Sequence, residues 1–347
     1  MNEELEQHPA ESEEENGITP EDSSGEDLAE LETPGKLKQT FVNRFGHIRA
    51  GWRMMIYVII TALLAFPAKY LHGFFKPYFS GDGGFHSPIM IMQYVILTSV
   101  FMLSAFIVLK WIDKRPFKTL GLWFSPGWFK EFSIGLGIGF GLLTTLFLIF
   151  WLTGLVEVRA GARGIELGIA LLSFMSLFAL AGLLEELMLR GYPFQAFIEG
   201  SNVLIAVVVL SLIFSIMHMF NPNFSAGGAL NIFLAGVLLS VAYIKTRSLW
   251  LPTGLHMAWN WTQGPLWGMN VSGIDIQNSF MVSVPQGPEL LSGGEFAAEG
   301  SLISSVLIIL ITWYMWRAPW LKPSEANSAL WRKYPAAYGV QPAELEN

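Results

Sequence analysis

The chain alternates long apolar runs with short polar connections. Eight runs can be drawn: about Met54 to Phe75, Pro88 to Ile112, Phe132 to Val156, a run starting near Ile169, Val203 to Phe220, Leu230 to Ile244, a short Trp-rich run from Leu249 to Trp267, and Leu302 to Trp316. Several reach or approach the ~18 apolar residues at which a helix crosses a ~30 Å hydrocarbon layer. The pattern predicts an all-α, polytopic membrane helix bundle of about eight transmembrane helices, spanning residues 54–318. Gly200-Ser201-Asn202 reads as the turn between the fourth and fifth runs. No repeat recurs at a fixed period.

Composition sharpens this picture. With 52% hydrophobic and 14% charged residues and a mean hydropathy of +0.44, a soluble enzyme is excluded. There is no cysteine, which removes disulfides, thiolate nucleophiles and Cys-based zinc sites, so polar chemistry must come from other side chains. The net charge of −7 is dominated by residues 1–35, which carry runs such as Glu13-Glu14-Glu15 and no Lys or Arg before Lys36. That acidic stretch reads as a disordered, solvated tail, without the basic start and short apolar core of a secretory signal.

Charge also orients the spans. Residues 36–53 form a basic juxtamembrane segment (Lys36, Lys38, Arg44, Arg49, Arg53). Further clusters lie at Lys110 to Lys130, at Lys245 and Arg247, and from Arg317 to Lys333, whereas 269–300 has no Lys or Arg. In an eight-span threading every cluster falls on one side. The excess of positive charge on cytoplasmic loops then makes both termini cytoplasmic, 269–300 an external loop and 319–347 a cytoplasmic tail of a plasma-membrane protein. Membrane lipid is the surrounding partner, nothing points to nucleic acid, and no oligomeric state is implied.

Carboxylates and imidazoles inside spans are costly in hydrocarbon and normally face a partner or a wet interior. Three segments carry them: Glu185-Glu186-Leu187-Met188-Leu189-Arg190, Phe214-Ser215-Ile216-Met217-His218 and His256-Met257-Ala258-Trp259-Asn260. Glu185 and His218 are equidistant from the turn at 200–202, so two antiparallel helices place them at one height, about 24 Å along each, if the fourth helix continues to about Phe197 or Glu199. His256 begins nearer its own turn, and the heights disagree by about 10 Å on this ruler. A helix extension or a tilted seventh helix must absorb the difference. His256 and Asn260 share a helix face, as do Glu186 and Arg190. The latter suit an internal ion pair, leaving Glu185 free; the pattern equally allows the two Glu to exchange these roles.

A carboxylate beside an imidazole can hold and deprotonate a water, while a second imidazole with an amide can stabilise the resulting oxyanion. Alternatively, Glu185, His218 and His256 could ligate a divalent metal such as zinc with one position left for water. The His-Glu-x-x-His zinc helix is absent, so a metal is allowed but not demanded. Taken singly, each His also suits helix-to-helix hydrogen bonding, and the Glu pair suits a proton relay or a structural ion pair.

Together the three segments resemble the signature of the CPBP family, the CAAX-processing and bacteriocin-processing intramembrane proteases also called the Abi family. Its pattern is Glu-Glu-x-x-x-Arg, Phe-x-x-x-His and His-x-x-x-Asn/Asp on successive helices of an eight-helix core. Here these are Glu185, Glu186 and Arg190; Phe214 and His218; His256 and Asn260, within about residues 166–268. The resemblance implies an endopeptidase in which Glu185 and His218 activate water, His256 and Asn260 stabilise the oxyanion, and Glu186, Arg190 and Phe214 support them. It leaves open a metalloprotease or a metal-independent glutamate protease, and the substrate: a prenylated CAAX protein or a bacteriocin-like peptide at the membrane. Competing readings are a non-catalytic immunity or scaffold protein of the same family and a proton-coupled transporter.

Overall fold

The computed structural model describes residues 40–42, 48–78 and 87–335, and the expected acidic tail lies outside them. The described region is a bundle of helices: α1 (Ala50–Phe75), α2 (Pro88–Ile107), α3 (Trp128–Leu152), α4 (Gly164–Leu189), α5 (Tyr192–Gly200), α6 (Val203–His218), α7 (Ala226–Thr246), α8 (Trp250–Trp261), the single turn α9 (Glu289–Ser292), α10 (Leu302–Arg317) and α11 (Glu325–Lys333). Each of the eight apolar runs contains a helix. Six segments are long and apolar enough to cross a membrane: Ala50–Phe75, Pro88–Ile112, Trp128–Leu152, Gly164–Gly200, Ala226–Thr246 and Gly294–Arg317. The other two runs give shorter helices, α6 with 16 residues and α8 with 12. The expected number of eight full-length spans is therefore not reached by length alone. A 12-residue helix is only about 18 Å long, and the Trp-rich run reaches further by ending in a π-helical turn, Thr262–Leu266.

The fourth run continues past Arg190, but not as one helix. Chain direction changes at Gly191, where a Cβ would collide with the Leu187 carbonyl, and Pro193 in the first turn of α5 suits a fresh helix start. Asn202 then caps α6 by accepting from the Ile205 amide at 2.9 Å. Gln195 of α5 donates to the Thr119 carbonyl and to the Tyr243 hydroxyl, both at 2.7 Å. It therefore lies level with the last turn of α7. The structure brings His256 within 3.6 Å of Glu185 and His218 within 4.0 Å of it, despite the height difference expected for straight helices.

Described residues of the basic clusters meet at one end of the bundle. The Leu249 amide donates to the Gly121 carbonyl, Lys245 Nζ donates to the Trp316 carbonyl at 3.1 Å, and the Arg247 guanidinium lies 4.5 Å from the Trp331 ring centre. Arg53, expected just before the first span, is buried within α1 and pairs with Asp113 at 3.1 Å and Glu199 at 2.8 Å. Part of the expected C-terminal tail docks here: Asn327 of α11 accepts from Trp123 Nε1 at 3.1 Å. The opposite end carries a two-stranded antiparallel ribbon, β1 (Val156–Ala160) with β2 (Met281–Pro285), Val156 opposite Pro285 and Ala160 opposite Met281. This ribbon is an addition to the all-helical expectation; each strand has only five residues.

Two features place α8 against its neighbours. Gly135 and Gly139 of α3 face the backbone of α8, where a Cβ on either would strike the Leu251 or Leu255 carbonyl, and Gly254 of α8 likewise abuts the Phe132 carbonyl. Small residues at this spacing let two helices approach closely, which in a membrane supplies dispersion energy that lipid cannot match. Adding side-chain bulk at Gly139 is expected to destabilise the fold by about 1–3 kcal/mol. Thermal unfolding of the detergent-solubilised protein should show a clear loss for Gly139→Val and almost none for Gly137→Val, whose position meets nothing within 4 Å.

Candidate active site

The three polar segments come together around one cavity of about 220 Å³. α4 supplies Glu185, α6 supplies Phe214 and His218, and α8 supplies His256 and Asn260; all five line it. Glu185 Oε2 lies 3.6 Å from His256 Nε2 and 4.0 Å from His218 Nε2.

The imidazoles are held from behind. His218 Nδ1 stands 2.8 Å from the Phe214 carbonyl, and since a carbonyl only accepts, Nδ1 carries a proton and Nε2 turns to the cavity. His256 Nδ1 donates to Glu186 Oε1 at 3.0 Å, so its Nε2 also turns inward. Both reactive ring nitrogens therefore converge on the Glu185 carboxylate. Its Oε2 is buried yet has no hydrogen-bond partner among the described residues.

Behind this front row lies a fully buried ion pair. Arg190 Nη1 donates to Glu186 Oε1 at 3.0 Å, the i,i+4 pairing expected from the sequence, and both side chains have 0% exposure. Arg190 Nη2 donates to the Gly236 carbonyl at 2.8 Å. One oxygen of Glu186 thus serves both Arg190 and His256, coupling α4 to α8, while Arg190 reaches α7. Phe214 fills the space between them. Its ring centre is 5.0 Å from the Arg190 guanidinium, and its ring meets those of His218 and His256 edge-on at 4.7 and 5.9 Å.

The donor set can be compared with what a metal requires. Both rings are tethered through Nδ1 in the manner of metal-bound histidines. Tetrahedral bonds of ~2.0–2.1 Å would set the donor atoms roughly 3.3 Å apart, and the separations of 3.6 and 4.0 Å exceed this. Among the described residues no group of three His, Asp or Glu is spaced to hold a metal. Glu185, His218 and His256 as they stand do not fit a metal-ligand set.

The cavity also has residues that the sequence motifs did not mark, among them Tyr94, Asn221, Asn231, Ser272 and Glu299. Glu299 belongs to a 3₁₀ segment, Gly294–Gly300, that enters the bundle just before α10. Its Oε1 accepts from Trp259 Nε1 at 3.2 Å and its Oε2 from the Ser272 amide at 2.5 Å. Asn231 of α7 fixes that segment by donating to the Glu299 and Ser301 carbonyls at 2.9 and 2.7 Å. The one sequence signal was a carboxylate set between Phe296-Ala297-Ala298 and an apolar span, in a stretch with no Lys or Arg.

Residues 167–262 match the family model described as type II CAAX prenyl endopeptidase, Rce1-like. This segment is similar to the Rce1-like domain of the CAAX proteases. It begins in the first turn of α4 and ends just after α8, so it encloses all three polar motifs. The match covers the stretch over which the motifs resemble the CPBP signature, and the Rce1-like family is a family of proteases. No curated protein and no solved structure matches the chain.

Removing one member of the rear ion pair leaves a buried charge without compensation, at a cost of about 3–5 kcal/mol. Arg190→Leu is therefore expected to lower the unfolding temperature sharply. Arg190→Leu combined with Glu186→Leu, which removes both charges, should recover much of that loss in the same thermal scan.

Proposed function

We propose that the protein is an intramembrane endopeptidase that hydrolyses a peptide bond of a membrane-associated substrate with water activated by Glu185 and His218. The observation carrying this reading is the convergence of two inward-turned Nε2 atoms on the unpartnered Glu185 Oε2, at 3.6 and 4.0 Å in one cavity. The 4.0 Å gap is too long for a direct hydrogen bond and suits a single bridging water.

Glu185 takes a proton from that water as its oxygen attacks the scissile carbonyl, and His218 Nε2 orients the water. His256, set between the Glu186 and Glu185 carboxylates through Nδ1 and Nε2, donates through Nε2 to the oxygen that gains charge, as does the Asn260 amide. Collapse of the tetrahedral species breaks the C–N bond, and the departing amine takes the proton that Glu185 received. Glu186 and Arg190 hold His256 in register, and Phe214 keeps the two imidazoles apart. In this reading the enzyme uses a carboxylate base without a covalent nucleophile. The family suggests a prenylated CAAX-type protein or a bacteriocin-like peptide as substrate. The basic end of the bundle, with both termini, is assigned to the cytoplasmic face of the plasma membrane.

A scaffold or immunity role would use the same residues only as glue between helices. Glu186 and Arg190 would serve such a role, since they are bonded across α4, α7 and α8. Glu185 is differently placed: among the described residues it forms no hydrogen bond across the helices, and it lines the cavity between the two imidazole Nε2 atoms, where a purely structural role has no use for it.

In a detergent-solubilised cleavage assay, Glu185→Gln and His218→Ala should each abolish hydrolysis of a susceptible peptide, and Asn260→Ala should lower kcat by about 10²–10³, the usual loss for an oxyanion donor. Full activity in a folded Glu185→Gln protein would remove the mechanism. Undiminished protection of cells by that same variant would favour the scaffold role.

A further inference from the structure

Glu299 is 93% buried by its 7% exposure, lines the cavity with Glu185, and lies outside the matched family segment 167–262. Among the described residues no Lys or Arg forms an ion pair with Glu299 or Glu185, and none lines the cavity. Arg190, the nearest buried cation on α4, is committed to Glu186. The cavity thus presents two carboxylates whose only ionisable basic neighbours are His218 and His256.

The protein nevertheless fixes Glu299 firmly. Trp259 Nε1 and the Ser272 amide each donate to one of its oxygens, and Asn231 anchors its backbone carbonyl. Both donors, an indole N–H and a backbone amide, are neutral, so they orient the carboxyl group without supplying a countercharge. A carboxylate offers about four acceptor positions, and these bonds use two. A buried acid oriented by neutral donors, with acceptor capacity left, is complementary to a cationic hydrogen-bond donor brought in from outside. Such a pair is stronger and more selective in a low-dielectric cavity than on a wet surface.

We propose that Glu299 is a specificity-determining residue that recognises a basic side chain, lysine or arginine, of the peptide entering the cavity. This rests on the endopeptidase reading and names its substrate class: peptides with a positive charge close to the scissile bond. Trp259, which fixes Oε1 and lines the same wall, offers an apolar surface to the stem of such a side chain. The neighbouring Asn260 places this subsite next to the residues assigned to the oxyanion.

The test uses the full chain in detergent or nanodiscs and a neutral, apolar fluorescent peptide into which one lysine is walked position by position, each paired with its glutamine counterpart. Binding is read by fluorescence anisotropy and cleavage by mass spectrometry. At one register the lysine peptide should bind, and be cleaved with a lower KM, by about tenfold or more over its counterpart, as a charged hydrogen bond provides. Glu299→Gln should erase that ratio; Glu299→Asp, which keeps the carboxyl, should retain part of it. Equal binding of lysine and glutamine peptides at every register would overturn the proposal, as would a Glu299→Gln protein that keeps the wild-type ratio. If Glu299→Gln does not fold, the Glu299→Asp ratio and the wild-type register scan decide the question. A lysine preference in binding without any cleavage would overturn the endopeptidase reading and leave the subsite standing.

Discussion

Everything at the centre of this bundle depends on compensating one buried positive charge. Arg190 is fully enclosed, and its guanidinium is offset by Glu186 on the same helix and shared outward to the Gly236 carbonyl of α7. The oxygen that neutralises it is also the acceptor for His256 Nδ1. A cation that hydrocarbon would expel is thereby converted into a joint between α4, α7 and α8. Breaking one contact would disturb the others, so the ring of His256 inherits its orientation from an ion pair that never reaches the cavity. Glu185, one residue earlier, is turned into the cavity by the helical rotation that directs Glu186 away from it toward Arg190.

Much of this could be read from the sequence because the membrane imposes strong rules. Long uncharged runs gave the helices, and acids or imidazoles inside them stood out. The spacing of Glu186 and Arg190, and of His256 and Asn260, gave the faces. The resemblance of the three motifs to the CPBP signature agrees with the family matched over 167–262. The fractured continuation of the fourth run was less legible. Gly191 and Pro193 both hint at a break, yet the pattern from Leu189 to Phe197 also accommodates an unbroken helix, and only the packing at the Leu187 carbonyl distinguishes them.

The least legible part was 269–300. Its Gly, Ser and Pro content and lack of basic residues describe a loop, and composition cannot tell which loop residues turn inward. Val271, Ile276, Phe296 and Glu299 are all buried, Val271 and Ile276 against Phe174 and Phe178 of α4. The segment contributes Ser272 and Glu299 to the cavity wall. Burial there is decided by backbone carbonyls bonded to Asn231 and by β2 pairing with β1. Both are contacts between positions far apart in the chain.

The glycine seam between α3 and α8 has a consequence for how the molecule is made. A helix of about 18 Å has too little greasy length to partition into a bilayer of ~30 Å unaided, and α8 carries His256 and Asn260 as a further burden. Its insertion must therefore wait for α3 to be seated, so that the groove at Gly135 and Gly139 can receive it. A chain synthesised no further than α7 would therefore hold no assembled reactive centre, since His256 and Asn260 reach the cavity only once α8 has docked.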